Sequence, residues 1–126
     1  MKTRDSQRMQ DVEAISRAIR TYWDDYKVYP EEATGEGKMV QCGEKGGQVC
    51  EWGKSTIRDK YNVVYMNLVP GDPLTSKGYH YVYIPDAERQ HFRIYIALEY
   101  DGDARVKPDL TIQCGNRVQC NWYVQE

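Results

Sequence analysis

Four cysteines carry the sharpest chemical signal in this sequence: Cys42 with Cys50 in a C-x7-C spacing, and Cys114 with Cys120 in a C-x5-C spacing. An even number in a chain of 126 residues points to disulfides and to an oxidising compartment. Four cysteines allow three pairings. The two local ones close short loops that contain Gly43, Gly46 and Gly47 in the first case and Gly115 in the second, so the chain can turn back tightly enough to join them. A bridge of that kind stabilises by about 2–3 kcal/mol through loop entropy. The connectivity itself stays open at this stage. The rival chemistry is a four-cysteine zinc site, but such sites use closer pairs such as C-x2-C. A cysteine nucleophile would need a base, and nothing ties either His80 or His91 to a cysteine.

Two further clusters have the right residue types for binding. Asp101, Asp103 and Asp109 offer carboxylate oxygens of the kind calcium takes, although Asp-Gly-Asp is also ordinary turn chemistry and the EF-hand spacing is missing. Lys54, Arg58 and Lys60 with Tyr61 form a small basic and aromatic group that could touch DNA. The formal net charge of -2 argues against nucleic acid as the main partner. For catalysis there is no Ser-His-Asp signature, no glycine-rich phosphate loop and no paired-histidine metal motif, so the expectation is a protein that is not an enzyme. Asp24 and Asp25 are adjacent on a helical stretch and point in different directions, which suits a solvated face.

The elements that would hold these groups follow from periodicity. Val12, Ile15, Ile19, Tyr22 and Tyr26 recur at steps of three and four, Ala14, Ala18 and Trp23 widen the stripe, and charged residues fill the rest. This predicts a helix over 4–28, closed by Tyr29-Pro30. Its first residues, Arg4 to Arg8, are polar all round and read as a solvated or projecting end. From 31 to 54 repeated glycines break any period, so the expectation is a long surface loop pinned by Cys42–Cys50. Residues 55–68 are assigned a short helix, and Pro70-Gly71-Asp72-Pro73 a firm turn. From 78 to 124 the period becomes two. Tyr79, Tyr81 and Tyr83 alternate with His80, Val82 and Ile84. After a polar turn, Phe92, Ile94, Ile96 and Leu98 form the buried face of a second strand, with a further strand and the C-terminal cysteine loop behind it. The order is helix, loop, antiparallel sheet: one α+β domain over 1–126. Its aromatics are unusual, with 11 Tyr, 3 Trp and one Phe, a choice that suits half-exposed sheets and contact surfaces. No apolar run approaches the ~18 residues of a membrane span.

In this order the landmarks resemble the outer part of type IV pilins and the related pseudopilins of type II secretion. The stretch Arg4-Asp5-Ser6-Gln7-Arg8-Met9-Gln10-Asp11 leading to Ile15, Ala18, Ile19 and Tyr22 is similar to the exposed half of the pilin helix. The Tyr29-Pro30 close, Leu68-Val69-Pro70 with Asp72-Pro73 before Tyr79-His80-Tyr81, and Phe92 to Leu98 followed by Glu99 are similar to the family's later landmarks. The resemblance covers the helix and the middle of the chain and is weak over 31–54 and the C-terminal segment. It implies a pilin-like α+β fold, one long helix on an antiparallel sheet of three or four strands. The family's leader, processing site and apolar half-helix have no counterpart in these residues. The expectation is that the sequence starts where that half-helix would end, and that the missing half makes the inner-membrane contact.

The function this resemblance implies is assembly with other pilin subunits into an extracellular or cell-surface filament for motility, attachment or DNA uptake, membrane-anchored before assembly. Alternatives are a pseudopilin of a type II secretion system and a minor pilin acting as a tip adhesin through 31–54. Pseudopilins of this kind can bind calcium after the second strand, where Asp101, Asp103 and Asp109 fall. Arg4, Asp5, Arg8, Asp11, Glu13 and Arg17 are expected on the side of the helix left free for contacts between subunits.

Overall fold

A computed structural model describes residues 2–100, 102 and 104–126. It opens on α1 (Lys2–Tyr26), whose apolar stripe is fully used: Val12, Ile15 and Ile19 have no exposed surface, and Met9 and Tyr22 are buried beside them. The helix ends two residues earlier than its sequence suggests, because Lys27 takes a left-handed conformation (φ 60°) while its N–H still bonds the Trp23 carbonyl at 2.6 Å. That is the usual way a helix turns off its axis, here without glycine. Pro30 follows, and its carbonyl accepts the Tyr83 hydroxyl at 2.7 Å.

The segment after the helix is not the loop its glycines suggest, and 55–68 is not a helix. Five short strands form one antiparallel sheet: β1 (Glu31–Glu32), β2 (Met39–Cys42), β3 (Gln48–Val49), β4 (Ile57–Arg58) and β5 (Val64–Met66), in the order β1-β2-β4-β5 with β3 also on β2. Strands of two to four residues are too short to show a period of two, which is why the sequence hides them. The β4–β5 turn is built by Asp59, whose carboxylate accepts the N–H of Tyr61 at 2.8 Å and of Val63 at 2.9 Å, with Asn62 at φ 64°. Gly46 is required where the β2–β3 connection crosses β4: its φ is 69°, and a Cβ there would collide with the Arg58 carbonyl.

The second sheet follows the expected alternation. β6 (Val82–Pro85), β7 (Phe92–Ile96) and β8 (Trp122–Gln125) pair antiparallel in that order, with Val82 opposite Tyr95 and Ile96 opposite Trp122. Tyr81, Tyr83, Phe92, Ile94, Ile96 and Leu98 are buried in the main core with the helix stripe. The opposite face is covered as well. Val82, Tyr95 and Ala97 lie under the C-terminal loop together with Cys114 and Cys120. Both disulfides are the local ones, Cys42–Cys50 and Cys114–Cys120, each with a Cα separation of 5.1 Å. Among the described residues the architecture is thus one α-helix and two antiparallel sheets, of five and three strands, rather than a single sheet of three or four.

Candidate functional site

The polar start of α1 is the most tightly held part of the helix. Asp5 and Arg8 continue the stripe of Val12, Ile15 and Ile19 backwards at the same steps of three and four, so they point inward. Arg8 is fully buried. Its Nε and Nη2 form a two-pronged pair with the Asp72 carboxylate at 2.9 and 3.0 Å, and its Nη1 donates to Asp5 at 2.8 Å and Glu99 at 2.6 Å. The Tyr79 ring lies 5.2 Å from the guanidinium carbon. Arg4 adds a second two-pronged pair to Glu99, 2.6 Å on each bond. Asp5 reaches past the ion pairs and accepts the backbone N–H of Glu99 at 2.8 Å and of Tyr100 at 2.9 Å. One cluster therefore ties the first turns of the helix to the Pro-Gly-Asp-Pro turn and to the chain leaving β7.

The electrostatics follow from this geometry. The Arg4 hydrogen bonds, and then those of Arg8, outweigh burial and hold the Glu99 carboxyl down at about 2. Burial works against the Arg8 charge, but the bonds to Asp72 and Glu99 prevail and raise its pKa. A buried pair of this kind costs much desolvation, so its net contribution is modest, while removing one partner is severe. One turn further on, the Tyr81 hydroxyl donates to Asp11 at 2.8 Å, and Gln7 Nε2 donates to the same carboxylate at 2.7 Å. Burial, reinforced by the bond to Asp11, raises the Tyr81 pKa well above the ordinary phenol value.

These positions correct the expectation for the helix. Asp5, Arg8 and Asp11 are buried against their own domain and are not available to a neighbour, because each has a partner contributed by a distant turn or strand. The start of α1 is likewise docked instead of projecting. Arg4 is partly exposed and committed to Glu99. Glu13 and Arg17 alone of the six are exposed and outside these clusters.

The far end of the helix carries a second polar cluster. Tyr26 donates to Asp59 at 2.8 Å and Tyr65 donates to Asp25 at 2.5 Å, fastening the last turns to the β4–β5 hairpin. In and just after that hairpin four large apolar side chains are exposed: Tyr61, Val63, Val64 and Leu68, at 73, 51, 42 and 55% of full exposure. The basic residues expected to join them fall into two places: Lys60 stays by Tyr61, while Lys54 and Arg58 line one cavity together with Glu44 and Asn62. Lys60 sits 5.4 Å from the Tyr61 ring, Arg58 is half-buried in β4 and Lys54 is exposed on the preceding turn. Of the calcium candidates, Asp109 is exposed, and Asp101 and Asp103 lie outside the described residues. Among the described residues no group of three His, Cys, Asp or Glu side chains is placed to share a metal ion.

These features define an α+β domain in which one helix is bound at both ends to its sheets and an apolar hairpin is left open. No family model, no curated protein and no solved structure matches the chain. Among the described residues, no helix is long and apolar enough to cross a membrane.

Proposed function

We propose that this domain is a structural subunit of a type IV pilus-like filament, carried on the cell surface and assembled from copies of itself. The observation that carries the reading is the exposed apolar run Tyr61, Val63, Val64 and Leu68 lying beside a helix whose outer side remains free. Isolated exposed apolar residues are ordinary, but four within eight positions of the chain are a candidate contact surface. Among the described residues β5 is also the end strand of its sheet, with one edge of its backbone unpaired by another strand. The hairpin and the exposed helix side with Glu13 and Arg17 are different surfaces. A copy that sets its hairpin against the next copy's helix makes a head-to-tail contact, and such contacts run on from copy to copy into a filament wherever the rotation does not close a ring. The helix-first order, the Tyr29-Pro30 close and the Asp72-Pro73 turn support the pilin-like form of this proposal.

The test uses cells that make the protein. Sheared surface filaments are expected to contain it, and Val64→Asp with Leu68→Asp, or Glu13→Lys with Arg17→Glu, is expected to abolish them. Surface substitutions cost within about 0.5 kcal/mol, so the Tm of each purified variant should stay within about 2–3 °C of the parent. Absence of the chain from sheared filaments, or normal filaments from both variants, refutes the proposal.

A further inference from the structure

A cavity of about 400 Å³ opens where three segments of the chain meet. The connection from β1 to β2 brings Glu36 and Lys38, the stretch after Cys50 brings Glu51, Trp52 and Lys54, and the chain entering β6 brings Tyr79. Each segment is fixed through its backbone. The N–H of Glu36 bonds the Ala33 carbonyl at 2.8 Å. Cys50 is held by its disulfide and by its own N–H, which bonds the Met39 carbonyl at 2.7 Å, and the Gly53 N–H bonds the Val69 carbonyl at 2.7 Å. The residue after Tyr79, His80, bonds the Cys114 carbonyl through its N–H at 2.9 Å. Walls held in this way are in place before a ligand arrives.

The lining holds two kinds of surface. Trp52 and Tyr79 are half-buried, so each ring keeps part of its apolar area open. Trp52 is braced from inside by the buried Tyr81, whose ring meets it edge to face with centroids 5.7 Å apart. Arg8 lies against the Tyr79 ring, its guanidinium carbon 5.2 Å from the centroid. Polar groups surround the rings. Lys38 and Glu51 satisfy one another at 3.0 Å. Among the described residues the Glu36 carboxylate, the Lys54 ammonium and the Tyr79 hydroxyl have no hydrogen-bond or ion-pair partner. The cavity therefore offers aromatic area together with an acceptor, a strong donor and a hydroxyl that does both.

We infer that this cavity binds a neutral pyranose sugar, with the C–H face of the sugar on Trp52 and its hydroxyls on Glu36, Lys54 and Tyr79. The charges decide the class. With His80 neutral, Glu36 and Glu51 cancel Lys38 and Lys54 on the lining, so neither an anion nor a cation gains from the site as a whole. The Arg8 charge against Tyr79 also weakens that ring for a second cation. A wholly apolar ligand would strip water from the three unpartnered polar groups and give nothing back. A pyranose has an apolar face that suits an aromatic ring, and hydroxyls that donate to a carboxylate and accept from an ammonium. The inference does not rest on the filament reading, since none of Glu13, Arg17, Tyr61, Val63, Val64 and Leu68 lines this cavity.

The whole chain, titrated by calorimetry with maltotriose, lactose and triacetylchitotriose, should bind at least one of them with a Kd in the millimolar range or tighter. Trp52→Ala should lower that affinity by at least about tenfold, the loss of one apolar contact. Glu36→Ala and Lys54→Ala should each lower it by about three- to tenfold, the loss of one hydrogen bond. Glu36 and Lys54 are exposed, so their variants keep the test independent of folding. No binding of any of the three sugars overturns the inference. So does affinity unchanged in both of these surface variants. Tighter binding of choline, or of a neutral acetylated Gly-Ser hexapeptide, than of every sugar would assign the cavity to another class of ligand and overturn it equally.

Discussion

Replacing Arg8 by methionine tests the reading of the helix start most directly. Methionine keeps much of the length and the helical preference of arginine, so the change is chiefly the loss of one positive charge. Asp72, whose side chain is 1% exposed, then loses its two-pronged partner, Asp5 loses one bond, and Glu99 keeps only Arg4. Breaking a buried pair by removing one partner costs about 3–5 kcal/mol. With about 2 cal/mol/K of unfolding entropy per residue, a domain of this length loses about 4 °C of Tm per kcal/mol, so the expected fall is about 11–19 °C. Thermal and urea unfolding followed by circular dichroism, with the disulfides intact, measure it. Arg4→Met is the comparison. It removes a partly exposed partner of the same Glu99 and should cost about 1 kcal/mol or less. The deficit of Arg8→Met should also narrow in acid, because protonation relieves the stranded carboxylates. A variant within about 1 kcal/mol of the parent at pH 7 would refute the view that Arg8 neutralises the cluster.

Two other measurements probe the same frame. The Glu99 carboxyl is depressed from 4.5 to about 2, so its contribution is present above the unfolded pKa and is lost as pH falls from about 4.5 towards 2. Stability followed across that window should decline, and Glu99→Gln should flatten the decline; identical pH profiles would contradict the assignment. Removing Cys42–Cys50 or Cys114–Cys120 by paired serine substitution should each cost about 2–3 kcal/mol, or about 10 °C of Tm, and a dithiol reductant should reproduce the sum. Insensitivity to reductant would mean that the bridges do not constrain the unfolded chain.

How much of this was legible depends on how far each contact reaches along the chain. The helix stripe and the β6–β7 hairpin have a local period, and both stand where that period puts them. The two disulfides close loops of nearby residues and follow the spacing and the glycines. The Arg8 cluster was hidden because its partners, Asp72 and Glu99, lie 64 and 91 residues away. A usable signal was nonetheless present. Asp5 and Arg8 occupy the next inward positions of the stripe, and charged residues on a buried stripe require partners. The five-stranded sheet was hidden for a different reason: its strands are fixed by pairing across the sheet and are shorter than any period that could announce them. The covering of the second sheet's outer face left no local signal, because the loop that lies over Val82, Tyr95 and Ala97 belongs to a turn-rich stretch with no period.

The helix is gripped at three stations along its length: by Asp72 and Glu99 at Arg8, by Tyr81 at Asp11, and by Asp59 and Tyr65 at Tyr26 and Asp25. These grips come from different strands and turns and act across the helix axis. A pull along that axis would therefore load them side by side, in shear, instead of opening them one after another like a zip. The helix is in mechanical terms a rod clamped at several points, and force applied at its first turn passes into both sheets before any single contact has to yield.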